Sequence, residues 1–251
     1  MATYDKAYKV LAKQENMSNS KAKDLIDKGL VRAEGKKVMI ARGEISTDTK
    51  FSVKLPNEVK VLFQDDNIIA VDKPAFLTAD EVAKKFKDAI LLNRLDKETS
   101  GVMMFAKTEE FRVKAIKEFA ANRVYKEYVA IVEGRVVDEI EIDKPILTTR
   151  ERKGSAKSKI DTKKGKPAKT TVYPMLVEGR KSKVKVVIES GRTHQIRVHL
   201  NSVGLPIIGD AVYGKVAPNI NRVLLHSKKT KILDYEFEAR EPREFNVYEF
   251  N

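Results

Sequence analysis

One polar turn set between two apolar runs constrains this chain more than any other stretch. Asn93-Arg94-Leu95-Asp96-Lys97-Glu98-Thr99-Ser100-Gly101 lies between the runs Ala89–Leu92 and Val102–Ala106. Runs this short suit strands rather than helices. A polar turn between two strands sits at the edge of a sheet, where a rigid scaffold holds side chains accurately. The turn carries a guanidinium and a carboxylate two positions apart, Arg94 and Asp96. Taken alone it could equally be a solvated connection, so its meaning depends on three distant segments.

The chain in front of it divides at Pro56-Asn57-Glu58, which separates residues 1–56 from residues 57–251. In the first part, Ala7, Val10 and Leu11 mark a short helix. Ser18-Asn19-Ser20 can cap a second over Lys21–Lys28, with Ala22, Leu25 and Ile26 buried and Gly29 ending it. Strands are expected at Leu30-Val31, at Val38-Met39-Ile40 beyond the Glu34-Gly35 turn, and at Phe51–Leu55. In the second part, Val59–Phe63 and Ile68–Val71 read as strands, and Glu81–Lys87 as a short helix. Thr108 can cap a further helix on which Phe111, Ala115, Ile116 and Phe119 recur at helical spacing. Val124–Val132 alternates as a strand. Val172–Val177 and Val184–Ile188 form a hairpin, and the apolar period then becomes helical toward Leu200. Val223–Ser227 and Ile232–Phe237 supply the closing strands. Many short strands with few long helices fit an α+β class.

Charge narrows the partner. The formal net charge of +13 comes from two segments: residues 1–56 carry 12 Lys/Arg against 7 Asp/Glu, and residues 144–170 carry 10 against 2. The remaining 168 residues balance at 27 against 27. A surplus confined in this way is the footprint of a polyanion-binding surface on a neutral body. Nucleic acid suits it better than a membrane, because no segment offers a basic amphipathic helix with bulky apolar anchors. Lys144–Thr170 is poor in apolar residues and contains Gly154, Gly165 and Pro167, so a long mobile loop that orders on a polyanion is expected there. No apolar run reaches the roughly 18 residues of a membrane span. The N-terminus lacks the apolar core of a secretory signal, and there is no cysteine. A cytoplasmic protein fits these features.

The chemistry narrows by elimination. The chain has no Walker-type lysine loop and no GxGxxG after a strand. Of the three histidines, His194, His199 and His226, the first two are five residues apart, a spacing that does not stack them on one helix face as metal ligands. Metal and cofactor chemistry are therefore not expected. What remains is acid–base or nucleophilic work by a carboxylate, held ionised by a nearby arginine.

At this point the motifs align with a known family. Asn93–Gly101 resembles the active-site motif of RluA-type RNA pseudouridine synthases, His-Arg-Leu-Asp, two variable residues, then Thr-Ser-Gly. Lys126-Glu127-Tyr128 with Ala130 and Gly134 is similar to the second family motif. Gly191-Arg192-Thr193-His194-Gln195-Ile196-Arg197-Val198-His199 is similar to the third. Leu205–Asp210 with Tyr213-Gly214, Leu224-Leu225-His226 and Gly165–Ala168 also match family segments, in order, across residues 60–240. Asn93 stands where the family usually has histidine; asparagine keeps a donor and an acceptor but cannot carry a proton near neutral pH. Residues 3–55, with Ser20-Lys21-Ala22-Lys23 opening a helix and Gly29-Leu30-Val31 before a glycine turn, resemble the S-four RNA-binding domain.

The resemblance implies a catalytic domain of mixed, mainly antiparallel sheets with flanking helices, behind a small α/β S-four-like domain. It implies conversion of uridine to pseudouridine in structured RNA, with ribosomal RNA favoured over transfer RNA, by a monomer that needs no cofactor or metal. Asp96 would be the essential carboxylate, Arg197 its partner, and Tyr128 the ring stacked on uracil. Arg94 would fill the gap left by the extruded base, and Ile196 and Leu225 would wall the pocket. Lys21, Lys23, Lys28 and Arg32 would meet phosphates in the front domain, and Arg192, His194 and Gln195 would add RNA contacts beside the cleft. A non-catalytic RNA-binding or ribosome-assembly factor on the same fold would explain the charge map equally well. It would have no need of Asp96, Tyr128 and Arg197 together.

Overall fold

In the computed structural model of the chain, residues 3–150, 156–214, 220 and 222–246 are described. The chain divides into two compact units, Met1–Asn57 and Glu58–Asn251.

The first unit contains β1 (Tyr4–Lys6), α1 (Ala7–Gln14), α2 (Asn19–Asp27), β2 (Val31–Ala33), β3 (Lys36–Lys37), β4 (Glu44–Ser46) and β5 (Phe51–Val53). β1 pairs with β4, and β2 lies between β3 and β5. The Ser18 side chain accepts from the Lys21 N–H and starts α2; Ala22, Leu25 and Ile26 face inward beneath it. The strand expected at Val38–Ile40 is absent, and Met39 and Ile40 are 72% and 67% exposed. Glu34 and Gly35 both take positive φ, which closes a two-residue hairpin. That turn pairs Ala33 with Lys36 and Arg32 with Lys37, so β3 is used up on the lysines before the apolar residues arrive.

The second unit opens with β6 (Lys60–Gln64), β7 (Ile68–Lys73), α3 (Ala79–Ala83), β8 (Ile90–Leu91), β9 (Ser100–Ala106), α4 (Glu109–Ala120) and β10 (Tyr125–Glu133). It continues through β11 (Ile140–Asp143), β12 (Ile146–Arg150), β13 (Ala156–Ile160), β14 (Lys169–Glu178), β15 (Lys181–Ile188), α5 (Gln195–Ser202), β16 (Leu225–Ile232) and β17 (Tyr235–Glu238). Ten strands form one sheet in the order β11-β14-β15-β10-β16-β9-β7-β6, with β17 beside β16 and β8 beside β9. Every pairing in it is antiparallel except β16 with β9. The architecture is α+β with a large, mainly antiparallel mixed sheet.

The β9–β16 contact is the seam of this sheet and spans only His226↔Ser100 and Ser227↔Gly101. Gly101 makes the approach possible: its φ is +114°, and a Cβ there would lie 2.1 Å from the Ser227 carbonyl oxygen. The turn Asn93–Gly101 therefore ends where the two halves of the sheet meet.

Four further expectations are corrected. The helix placed at Glu81–Lys87 is the shorter α3, begun two residues earlier because Thr78 and Glu81 form a reciprocal capping box. On α4, Thr108 caps the Phe111 N–H and buries Phe111 and Ala115, but Ile116 is exposed. The basic segment 144–170 is no long loop. β12 and β13 pair as a hairpin from Ile146↔Ile160 to Arg150↔Ala156, because Ile146 and Ser158 face inward and give the strands an anchored side; Gly154 lies outside the described residues. The closing stretch Ile232–Phe237 is likewise two strands, β16 and β17, broken at Leu233, whose φ is +51°. No helix among the described residues is long and apolar enough to cross a membrane.

Candidate active site

A cleft of about 430 Å³, counting the space open at its mouth, lies in the second unit over the seam of the sheet. Its lining includes Arg94, Asp96, Tyr128, His194, Ile196, Arg197 and Leu225, contributed by the polar turn, β10, α5 with its lead-in, and β16.

The turn is pinned from behind by buried cations. Lys73, at the end of β7, is fully buried; its ammonium donates to the carbonyls of Leu77 at 2.7 Å, Pro74 at 3.0 Å and Lys97 at 3.3 Å. Burial, with a smaller push from Arg222, lowers its pKa to about 7. Arg222 donates through Nη1 to the Glu98 carbonyl at 3.0 Å and through Nε to Glu244 at 3.0 Å. The Ser100 hydroxyl meets His226 Nδ1 at 2.9 Å. Asn93 faces the other way: its Oδ1 accepts from the Met104 N–H at 2.7 Å, and its Nδ2 donates to the Val102 carbonyl at 3.4 Å. The amide extends the β8–β9 ladder, so Asn93 braces the strand and does not touch the carboxylate of Asp96.

Asp96 projects into the cleft. Arg197 Nη1 donates to its Oδ2 at 3.0 Å, and His194 Nε2 stands 3.7 Å from the same oxygen. No donor among the described residues reaches Oδ1. Arg197 is held independently: Nε donates to Asp210 Oδ2 at 2.7 Å and Nη2 to Asp210 Oδ1 at 2.9 Å. Asp210 Oδ1 also accepts the Val212 and Tyr213 N–H groups, at 2.9 and 3.0 Å. Burial opposes charge on both partners. The Arg197 bonds and the two backbone donors outweigh it and hold Asp210 below the usual carboxylate range, while Asp210 and then Asp96 hold the guanidinium protonated. The Arg197 guanidinium lies 5.1 Å above the Tyr213 ring.

Tyr128 faces the cleft from the middle of β10, directly across from Ser227 on β16. The β10–β16 register slips between Glu127 and Tyr128, a bulge of the kind that re-aims a side chain beside a site. Burial pushes its phenol up to about 12, so it is a neutral ring with an intact hydroxyl at physiological pH.

The structure thus brings Asp96, Tyr128 and Arg197 together from three elements, with Ile196 and Leu225 as apolar walls. Arg94 is exposed, its Nη2 3.6 Å from Asp80. Arg192 lines the cleft with Nε on the Pro167 carbonyl at 3.2 Å. Gln195 also lines the cleft, but it is 2% exposed and its amide is engaged within the fold: Oε1 accepts from the Ser190 hydroxyl and the Arg192 N–H, and Nε2 donates to the Lys169 carbonyl and the Thr170 hydroxyl, so it braces the lead-in to α5. His194 faces Asp96 and not the open surface. In the first unit, Lys21 and Lys23 lie on α2 with Lys28 at its end, where Lys28 pairs with Asp24 at 2.9 Å; Arg32 on β2 donates to the Gly35 carbonyl at 2.8 Å.

Sequence reading gave no role to Asp210, Tyr213, Lys73 or Arg222, although Asp210 and Tyr213 fall within family-like segments. A signal existed for Asp210, since a carboxylate closing the apolar turn Leu205–Ile208 is buried only with a cation. The other two histidines are accounted for within the fold: His199 between Thr170 and the Lys144 carbonyl, and His226 between Ser100 and the Ala239 carbonyl.

Comparison with known proteins gives this arrangement a context. A family model described as RNA pseudouridylate synthase matches residues 67–202. A protein of Helicobacter pylori described as an uncharacterized RNA pseudouridine synthase is 48% identical over 244 residues, spanning 97% of this chain and 100% of the relative. Ribosomal large subunit pseudouridine synthase D of Pseudomonas aeruginosa is 32% identical over 193 residues, 68% of this chain and 59% of that protein. The solved structure of human RNA Pseudouridylate Synthase Domain Containing 1 superposes with a TM-score of 0.62 at 26% identity, covering 74% of this chain and 83% of that one. A family match over more than half the chain, and a relative alike from end to end, leave one assignment: the chain belongs to the RNA pseudouridylate synthase family, and it is an RNA pseudouridine synthase, an isomerase.

Proposed function

We propose that this enzyme isomerises particular uridines of ribosomal RNA, acting as a cytoplasmic monomer without cofactor, with Asp96 as its reactive carboxylate. The observation that carries the site assignment is the one-sided clamp on Asp96. Arg197 holds Oδ2 at 3.0 Å, no donor among the described residues reaches Oδ1, and Asp96 lines the cleft. A guanidinium this close fixes the rotamer of the carboxylate. The reaction breaks the bond from N1 to C1′, rotates the uracil and joins C5 to C1′; the C5 proton leaves and N1 gains one. Whether the free oxygen attacks C1′ or removes the 2′ proton, it is Oδ1 that meets the ribose. Tyr128, neutral and buried, stacks on the uracil while it turns.

A paired uridine must leave its helix first, at a cost of a few kcal/mol. Arg94, exposed at the rim, takes the vacated place. The cations of β12 and β13 hold the RNA backbone, and Arg192 adds to them at the cleft edge. Lys21, Lys23, Lys28 and Arg32 make the first unit an S-four-like grip on structured RNA. The Pseudomonas relative, a ribosomal large subunit pseudouridine synthase, supports ribosomal RNA as the substrate. The test is to map pseudouridines in ribosomal and transfer RNA from cells with and without the gene. Loss of ribosomal sites is expected; loss confined to transfer RNA would overturn the substrate. Asp96→Asn should abolish turnover while RNA affinity stays within a few fold, and retained turnover would overturn the site.

A further inference from the structure

The hydroxyl of Tyr213 sits where three elements meet. It accepts the Ser158 backbone N–H from β13 at 2.8 Å, and it lies 2.8 Å from His194 Nδ1. The other nitrogen of that imidazole, Nε2, is the one 3.7 Å from Asp96 Oδ2. Ser158 is fastened a second time, through its hydroxyl to the Thr193 carbonyl at 2.8 Å, immediately before His194. A chain of polar contacts therefore runs from the basic hairpin to the reactive carboxylate.

We propose that Tyr213 and His194 are positioning residues for Asp96: the Tyr213 hydroxyl fixes His194 as an Nε2–H donor aimed at the carboxylate. This rests on the isomerase reading of the site.

The proton count supports it. A carboxylate oxygen only accepts, so the imidazole nitrogen facing Asp96 must carry hydrogen to be attracted. In a neutral ring Nδ1 is then an acceptor and needs a donor. Tyr213 can supply one, since the Ser158 N–H occupies a lone pair of its oxygen and leaves its own proton free. The ring is neutral on this account: burial pushes His194 below its ordinary value and Arg197 pushes the same way, against the pull of Asp96 and Asp210. The backbone helps as well. His194 takes the left-handed conformation, φ +55°, at the N-terminal end of α5, which turns its side chain back over the cleft. Its ring meets the Tyr213 ring edge-on, with centroids 5.6 Å apart. A separation of 3.7 Å is too long for a hydrogen bond in the free enzyme, and catalytic contacts often shorten only with substrate in place.

The hairpin gives this arrangement a purpose. On β13 the side chains alternate, so Lys157 and Lys159 face solvent while Ser158 between them faces inward, onto the Thr193 carbonyl. A polyanion seated on those lysines rests on the same strand that donates to Tyr213. Docking of the RNA backbone and placement of Asp96 are then mechanically joined.

The test has an arm that needs no RNA. In 15N spectra of the full-length protein at neutral pH, His194 should be the neutral Nε2–H tautomer, and Tyr213→Phe should shift it toward Nδ1–H. An imidazolium, an Nδ1–H wild type, or a tautomer unchanged in Tyr213→Phe would overturn the proposal, whatever the enzyme's substrate proves to be. The second arm follows tritium release from total RNA of cells lacking the gene, labelled with [5-3H]uridine. Tyr213→Phe should lower kcat by ~10²-fold, the usual cost of misplacing a reacting group by about an ångström, with KM within a few fold. His194→Gln, which keeps a donor near the Nε2 position, should retain more activity than His194→Ala. A fall in melting temperature with kcat unchanged would show a purely structural role and end the idea. Wild-type protein that releases no tritium would refute the isomerase reading, and the spectra would still decide the proposal.

Discussion

Asp96 and Asp210 both bind Arg197, yet removing them should cost very different amounts of stability. Asp210 is 1% exposed and accepts four hydrogen bonds, two from the Arg197 guanidinium and two from the backbone of Val212 and Tyr213. Asp210→Ala strips a buried guanidinium of its main counter-charge and leaves two inward-facing N–H groups unpaired. Breaking a buried pair from one side costs ~3–5 kcal/mol. For a domain of this size that corresponds to roughly 6–20 °C in melting temperature, at ~2–4 °C per kcal/mol. Asp96 is half-open to solvent and gives up one hydrogen bond of 3.0 Å, so Asp96→Ala should cost ~1 kcal/mol or less. Urea unfolding of the two variants beside wild type, at constant m-value, reads the difference directly. The pH dependence is a second check. The folded carboxyl of Asp210 sits below the ordinary aspartate value, so its stabilisation is complete above the unfolded pKa and is lost as pH falls through the lowered one. The gap between wild type and Asp210→Ala should therefore narrow in acid below about pH 4. Equal losses for Asp96→Ala and Asp210→Ala at neutral pH would refute the division into one reactive and one supporting carboxylate.

Three other outcomes are expected. Lys73 has a pKa lowered to about 7 in the fold against 10.5 for an ordinary lysine, so the unfolded chain binds more protons between those values and stability should rise with pH across that window; Lys73→Met should flatten the rise, as urea titrations at pH 7 and pH 10 would show. Gly101→Ala puts a Cβ 2.1 Å from the Ser227 carbonyl at a φ of +114°, and should cost ~2–3 kcal/mol by denaturant unfolding and lower turnover as the seam under Asp96 is forced apart. Replacing Lys157, Lys159, Lys163 and Lys164 by glutamine should weaken RNA binding and reduce the slope of log K against log salt by up to ~3.6, at ~0.7–0.9 per lost phosphate contact; an unchanged slope would place the RNA elsewhere.

What could be read along the chain was whatever depends on near neighbours. Ser18 and Thr108 cap their helices because a hydroxyl three residues ahead of an orphan N–H needs no tertiary partner. The turn at Glu34-Gly35 and the alternation of β10 are local in the same sense. The motif order also pointed to Asp96, Tyr128 and Arg197 before any of them had a place in space. Folding decided the rest, because burial and pairing depend on segments far apart. Asp96 and Arg197 meet across 101 positions, and the guanidinium reaches its carboxylate only because Asp210 holds it from behind. Composition made 144–170 look like loop, yet Ile146 and Ser158 give a hairpin one anchored side, and its lysines face out for that reason. Asn93 turned out to complete a strand ladder, which its residue type permits and only the neighbouring β9 requires. Lys73 and Arg222 lie buried behind the turn because free backbone carbonyls gather there, and a lone sequence carries no sign of where those carbonyls will point.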